Sequence, residues 1–276
     1  MSAVNEVRSS DHVKRIDPIW ATVKAEAQDA AERDPVLSSF LFSTIVNSQS
    51  LEDSVIYRIC ERLDHADLQA VLLRQTFGEM LADWPEWSSV LRVDIQAFFD
   101  RDPACTRLME PILYFKGFQA IQTHRLAHWL WNKGRHDFAL YLQSRSSSVF
   151  QTDINPAARI GRGIFLDHAT GLVVGSTATI GDNVSILQGV TLGGTGKESG
   201  DRHPKIGDGV LIGAGAKILG NIRVGNCSRI AAGSVVLKEV PSCSTVAGVP
   251  AKVIGTAGCS EPSRAMDQLI SSLDSQ

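Results

Sequence analysis

The sequence predicts an α+β protein: an all-helical N-terminal domain over residues 1–151, a left-handed parallel β-helix of hexapeptide repeats over 152–255 with one extruded loop, and a C-terminal tail over 256–276. Three observations carry this reading. Apolar residues recur at helical spacing from about Asp17 to Gln151. Beyond Gln151 aromatic residues nearly vanish and glycine multiplies. From there aliphatic residues return at every sixth position. At 276 residues the chain is long enough to bury a full core in one large or two ordinary domains.

In the first half, Asp17-Pro18 and Asp34-Pro35 each place an N-cap acid before a proline suited to the first helical turn. Ser50-Leu51-Glu52-Asp53 resembles a capping box weakened by the short Asp. Trp84-Pro85 and Asp102-Pro103 break the pattern, because a residue before proline is pushed out of the helical region. Six to eight helices follow. The aromatic-rich segment PILYFKGFQAIQTHRLAHWLWNKGRHDFALYLQSRSSSVF reads as core or subunit contact. His124 and His128 lie one helical turn apart with no third ligand at matching spacing, so they read as satisfied or exposed helix histidines.

In the second half the phase can be written out. Ile154, Ile160 and Leu166 form one run; Val174, Ile180, Ile186 and Leu192 a second; Ile206, Ile212, Ile218, Val224, Ile230 and Val236 a third. Neither the helical period of 3.6 nor the strand period of 2 gives a repeat of six. A triangular coil does. Each hexad makes one short strand and one corner, and three hexads return the chain to its starting edge with the aliphatic side chain pointing inward. Glycine and Asn relieve corners that require positive φ or a close neighbour. Such coils are stable only when stacked and capped. The unbroken third run argues against a series of hairpins.

The phase fails twice. Leu166 to Val174 is a step of eight, and it contains Asp167 and His168. Leu192 to Ile206 is a step of fourteen, so GGTGKESGDRHPK must be extruded. Long loops on rigid solenoids are common places for function. GTGKES imitates a phosphate loop, but Thr191 stands where the first glycine belongs and Glu198 where a magnesium-binding hydroxyl belongs. GAGAKILG is a similar decoy, held in hexad phase.

A formal charge of −3 and a pI near 6.2, with no basic block interleaved with aromatics, argue against a nucleic-acid partner. Five widely spaced cysteines, no CxxC and no leader in MSAVNEVRSSDHVKR point to the reducing cytoplasm and to mostly buried or incidental thiols. No apolar run approaches the roughly 18 residues of a membrane span.

QTDINPAARIGRGIFLDHATGLVVG, GVTLGGTGKESGDRHPKIGDGVLIGAGAKILGN and AAGSVV with AGVPAKVIG resemble bacterial serine acetyltransferase, a hexapeptide-repeat acyltransferase. The resemblance extends into the helical half through IWATVKAEA, DIQAFFDRDPA and LYFKGFQAIQTHRLAHWLW, and covers about Ile19 to Gly255. It implies acetyl transfer from acetyl-CoA to the L-serine hydroxyl, giving O-acetyl-L-serine and CoA as the first step of cysteine biosynthesis, with no metal. A serine hydroxyl needs a positioned base, and an imidazole with an ordinary pKa of about 6.5 is largely neutral near pH 7. The resemblance assigns that role to His168 and the orienting carboxylate to Asp153, brought together by an 18-residue coil shortened or bulged locally. With no cysteine close in sequence to this base, direct transfer is favoured over an acyl-enzyme.

The same resemblance places Asp102 and Asp167 on the ammonium and hydroxyl side of serine, and Arg202 with His203 on its carboxylate. His203 has a second possible role as a protonated oxyanion donor. On the residues alone Asp102 is a helix break and Arg202 a solvated loop charge. Ala214, Ala232, Gly233, Lys238 and Lys252 match acetyl-CoA contacts, although the alanines also suit corners. The family implies a homotrimer or a dimer of trimers with sites between prisms, and feedback inhibition by L-cysteine. Its partner O-acetylserine sulfhydrylase docks a C-terminal isoleucine; this chain ends SSLDSQ with Gln276, which weighs against that complex. Two other readings stand beside this one. One is a relative that acylates a sugar, an antibiotic or homoserine. The other is a zinc hydratase resembling γ-class carbonic anhydrases, for which the repeat half, with only His168 and His203, is one histidine short.

Overall fold

The computed structural model describes residues 17–196 and 199–269. The N-terminal MSAVNEVRSSDHVKR stretch, Lys197 and Glu198 of the extruded loop, and the terminal Gln276 lie outside the described residues. Eight α-helices precede the repeats among the described residues: α1 (Pro18–Arg33), α2 (Ser38–Leu41), α3 (Leu51–Leu63), α4 (Ala70–Asp83), α5 (Trp87–Arg101), α6 (Met109–Leu113), α7 (Lys116–Asn132) and α8 (His136–Phe150). The predicted punctuation is visible in the caps. Asp17 accepts from the Ile19 backbone N–H at 3.2 Å, and Ser50 Oγ accepts from the Asp53 N–H at 3.1 Å. Asp34-Pro35 begins a 3-10 turn, Pro35–Leu37, rather than a full helix; α2 then runs into a π turn over Phe42–Val46. Helices α4 and α5 stop at Asp83 and Arg101, just before the two X-Pro breaks.

Helix α7 is the centre of this half. Twelve of its seventeen residues are buried, on all sides rather than along one stripe. Phe98 of α5 sits edge-on to Phe118 of α7, with ring centres 5.6 Å apart, and to Phe165 in the first coil at 4.9 Å. The aromatic residues expected in a core therefore continue the helical core into the repeats. A buried ion pair does the same with polar atoms. The fully buried Asp94 accepts from Arg125 at 2.7 Å and Gln122 at 2.8 Å, and from the backbone N–H groups of Gly163 and Ile164 at 2.8 and 3.1 Å.

Strands β1 (Thr152–Ile154), β4 (Leu172–Val174), β7 (Thr191–Gly193), β10 (Lys217–Leu219) and β13 (Val235–Val236) stack in parallel as one face of a triangular prism. The second face is β2 (Arg159–Ile160), β5 (Thr179–Ile180), β8 (Lys205–Ile206) and β11 (Arg223–Val224). The third is β3 (Phe165–Leu166), β6 (Ser185–Ile186), β9 (Leu211–Ile212), β12 (Arg229–Ile230) and β14 (Ser244–Gly248). The hexad aliphatics fill the interior: Leu166, Val174, Ile186, Leu192, Ile206, Ile212, Ile218, Val224, Ile230 and Val236 are each less than 5 % exposed. This is the left-handed parallel β-helix that the sixfold period predicts. Helix α8 packs on β1 at one end. At the other, β15 (Ala251–Thr256) pairs antiparallel with β14 and ends the parallel stack. The following segment turns back along the third face, where α9 (Pro262–Ala265) packs on α5 and β9, and the Ser263 carbonyl accepts from Ser185 Oγ at 2.7 Å.

The two helix histidines separate. His128 is satisfied: Nδ1 donates to the Pro156 carbonyl at 2.7 Å and Nε2 accepts from Asn132 at 3.1 Å. His124 is neither satisfied nor exposed. It is buried against the first coil, with only the Ala158 backbone offering weak compensation. Burial pushes its pKa from 6.5 down to about 3, and His128 and Arg125 act in the same direction. The unfolded chain thus binds a proton that the folded chain refuses, so stability held above pH 6.5 is lost as pH falls toward 3. The slope reaches about 1.4 kcal/mol per pH unit for one such group. His124→Phe should flatten this acid limb. Urea midpoints measured at about pH 7 and pH 5 for both proteins check it, and equal pH dependence would remove His124 as the cause.

Candidate active site

The strand register locates both breaks in phase. Regular coils repeat after 18 residues, as in Lys217↔Val235 and Lys205↔Arg223. The first coil takes 20, with Thr152↔Leu172 and Phe165↔Ser185. The coil carrying the extruded loop takes 26, with Thr191↔Lys217 and Ser185↔Leu211. The first coil is therefore lengthened, so of the two local departures expected from an 18-residue coil, shortened or bulged, it takes the bulge. Its two extra residues fall in the turn from Asp167 to Gly171. There His168 (φ 53°), Ala169 (φ 57°) and Gly171 (φ 73°) are all left-handed, a conformation that non-glycine residues hold only where the surroundings impose it. The turn closes on itself: the Ala169 N–H donates to the Asp167 carbonyl at 2.5 Å and the Thr170 N–H to that of His168 at 2.8 Å. At its near end, a β-carbon on Gly117 would lie 2.0 Å from the Leu166 carbonyl oxygen, so only glycine lets α7 approach this backbone.

Against this turn opens a cleft of about 550 Å³ between α5, α6, the start of α7 and the first coil. It gathers Asp102, Asp167 and His168. Asp102 caps the end of α5, with one carboxylate oxygen accepting from the Ala104 N–H at 2.9 Å. The His168 side chain is 73 % exposed, with Nε2 3.6 Å from Asp167 Oδ1. Burial pushes the Asp167 carboxyl up; the nearby His168 opposes this and the Asp102 charge reinforces it. Asp153 lies in β1, in register with Val173, and its carboxylate accepts from Gln143 Nε2 at 2.6 Å. No Asp153–His168 hydrogen bond forms among the described residues; the Asp153 carboxylate is engaged by Gln143 and the His168 ring is exposed beside Asp167.

Lys116, Glu110, Tyr114 and Thr170 also line the cleft. The Lys116 ammonium donates to Gln151 Oε1 at 2.9 Å and to Thr170 Oγ1, tying α7 to the turn. Sequence reasoning absorbed Lys116 and Tyr114 into an aromatic core segment and missed Gln143. The one available signal was a lysine breaking the run LYFKGF.

Arg202 and His203 form a second cluster on a different corner, around Thr177. Thr177 Oγ1 accepts from both of their backbone N–H groups at 3.1 Å. The buried His203 ring lies so close to Gly175 that a β-carbon there would meet it at 2.0 Å. His203 Nδ1 faces the Thr177 backbone N–H at 3.2 Å and Thr177 Oγ1 at 2.8 Å. A backbone N–H can only donate, so Nδ1 is an acceptor and the ring proton sits on Nε2. Burial, then the Arg202 and Lys205 charges, hold the His203 pKa down. The neutral ring does not match the protonated oxyanion donor considered from sequence. Within one chain this cluster does not line the cleft of His168.

Two family models match the chain: "Serine acetyltransferase, N-terminal" over residues 19–123 and "Bacterial transferase hexapeptide (six repeats)" over 203–238. The serine acetyltransferase of Salmonella typhimurium is 52 % identical over 92 % of this chain and 93 % of its own length. The chain belongs to the serine acetyltransferase family. It is an enzyme of that class. Among solved structures, a serine acetyltransferase from Brucella abortus strain S19 in complex with coenzyme A is 69 % identical, with a TM-score of 0.88 over 90 % of this chain and 99 % of that one. A serine acetyltransferase in complex with cysteine is 49 % identical, with a TM-score of 0.89 over 91 % and 98 %.

In this serine acetyltransferase the edge that carries His168 continues down the prism. The N–H of Gly189 donates to the Thr170 carbonyl, that of Gly215 to Gln188 and that of Gly233 to Ala214, so these corners stack coil on coil below the Asp167–Gly171 turn. Ala214 is half-buried and Ala232 and Gly233 are exposed on this edge. Lys252 lies exposed on β15, opposite Ala247, and Lys238 is exposed just after β13. Among the described residues no helix is long and apolar enough to cross a membrane.

Proposed function

We propose that the chain transfers the acetyl group of acetyl-CoA to the hydroxyl of L-serine, giving O-acetyl-L-serine and CoA, with His168 as general base. The observation that carries this reading is the convergence of His168, Asp167 and Asp102 on one cleft where the first coil is lengthened. The exposed His168 imidazole takes the hydroxyl proton as the oxygen attacks the thioester carbonyl, and returns it to the CoA sulfur as the tetrahedral intermediate collapses. Asp102 and Asp167 hold the serine ammonium beside the base. Asp153 orients the ring once the exposed imidazole turns inward toward β1. The Ala214 corner, two coils below, and the Ala232 and Gly233 corner, three coils below, give the pantetheine arm a path with little side-chain obstruction, and Lys238 and Lys252 offset the phosphates.

Arg202 and His203 sit on a different corner of the same prism, so a homotrimer in which a neighbouring subunit's pair faces the cleft completes the carboxylate side. The helical half, residues 1–151, is the surface through which two such trimers join. L-cysteine has the ammonium and carboxylate of serine and competes for the same groups; the relative solved with cysteine supports this. The product would enter cysteine biosynthesis.

The test is acetyl-CoA consumption with L-serine, with homoserine and sugar acceptors as controls and L-cysteine as competitor. Turnover of another acceptor in preference to L-serine would overturn the substrate assignment. Arg202→Ala should raise the KM for L-serine roughly ten- to a hundredfold with kcat changed little, because a charge-assisted hydrogen bond contributes about 1.5–3 kcal/mol. An unchanged KM would return Arg202 to the loop surface.

A further inference from the structure

The proposed chemistry makes no use of cysteine, yet the far end of the prism carries three of the five. Cys60 and Cys105 are buried in the helical half, as expected of incidental thiols, whereas Cys227 is half-buried and Cys243 and Cys259 are exposed. Cys227 and Cys243 occupy successive steps of one corner. That corner runs through Gly163, Asn183, Gly209, Cys227 and Cys243, every one of them left-handed. At each step an N–H donates to the coil before it: Gly209 to Asp182, Cys227 to Asp208 and Cys243 to Asn226, the last two at 2.8 and 2.9 Å.

The register Arg229↔Thr245 between β12 and β14, continued back two residues, sets Cys227 directly beside Cys243. Neighbouring parallel strands lie about 4.8 Å apart, inside the 4.4–6.8 Å Cα separation that a disulfide spans. Cys227 Sγ lies 3.2 Å from where a Gly209 β-carbon would stand, so the thiol is turned back along the column and meets Cys243 by a rotation about its own χ1. The nearby Cys243 also acts with burial, the larger cause, to push the Cys227 thiol up.

We propose that Cys227 and Cys243 are a peroxide-dependent modification site, closing a reversible intrachain disulfide on the last parallel coil. The exposed Cys243 thiolate attacks hydrogen peroxide, forming a sulfenic acid and releasing hydroxide. The Cys227 thiolate then attacks that sulfur, the S–O bond breaks, the S–S bond forms and a second hydroxide leaves. With the two thiol protons, two waters result per peroxide consumed. Cys243 is the first to react because it is the more open to solvent. The clip spans the coil bearing Ala232, Gly233 and Lys238, and the exposed Cys243 sulfur leaves the bond open to attack and reduction by cellular thiols.

The reduced full-length protein, treated with equimolar hydrogen peroxide and quenched by alkylation, should yield one cross-linked tryptic pair joining Cys227 to Cys243. Cleavage after Arg229 and Lys238 separates the two peptides. The link should vanish with dithiothreitol, persist in Cys259→Ser and be absent in Cys243→Ser. A bond between Cys243 and Cys259, a bond between subunits on a non-reducing gel, or over-oxidation without any bond would each overturn the proposal.

Discussion

His168→Ala should lower kcat roughly a hundred- to ten-thousandfold, the usual contribution of a positioned general base, while the protein keeps its circular dichroism and its oligomeric state. The side chain is largely solvent-exposed, so its removal leaves no buried cavity. The backbone is the harder matter. Residue 168 sits at φ 53°, where alanine is strained by about 1–2 kcal/mol and asparagine is tolerated. His168→Asn is therefore the companion variant: it keeps the turn and lacks a base of useful strength. Both should be inactive alike. Near-normal turnover in either would remove His168 from the chemistry.

Asp94→Ala should have the largest effect on stability. One carboxylate ties α5 to Arg125 and Gln122 of α7 and to the Gly163 and Ile164 N–H groups that lead into the Asp167–Gly171 turn. Removing it leaves a buried guanidinium without its counter-charge and two buried donors without acceptors. Breaking a buried pair from one side costs about 3–5 kcal/mol, which in a chain of this size lowers Tm by on the order of 10 °C. Asp94→Asn keeps an acceptor for the two N–H groups but not the charge, and should fall between. Calorimetry on all three proteins decides this. A shift of less than about 2 °C for Asp94→Ala would mean that water or rearrangement replaces the carboxylate.

The β-helix was legible because its inward positions repeat at a fixed interval. The hexad aliphatics from Ile154 to Val236 were legible from spacing alone, and both interruptions as arithmetic, whereas the buried positions two residues before them, such as Val184, Val190 and Val210, were not. Helix ends were legible where a cap acid met a proline, as at Asp17-Pro18, and less so at Asp34-Pro35, where a 3-10 turn and a π turn intervene before α3. His124 shows the opposite case. Its spacing from His128 is ordinary, and only the packing of α7 on the first coil makes one ring a satisfied donor and the other a buried orphan. Lys116 and Gln143 were illegible for the same reason: a polar residue in an aromatic helix has no signature until its neighbour across the junction is known.

By itself the sequence determined the period, the face each repeat residue presents, the positions of the two breaks and the residue types collected there. These depend on local geometry, since six residues per side follow from the chain's own turning. Only the tertiary structure decided which breaks face which elements. It set His168 against α5 and α7 with Asp102, turned Arg202 and His203 to another corner, and paired Asp153 with Gln143. The physical reason is packing: the two added residues of the first coil are absorbed in the Asp167–Gly171 corner and every later strand stays in register, so what each corner faces is set by elements distant in sequence.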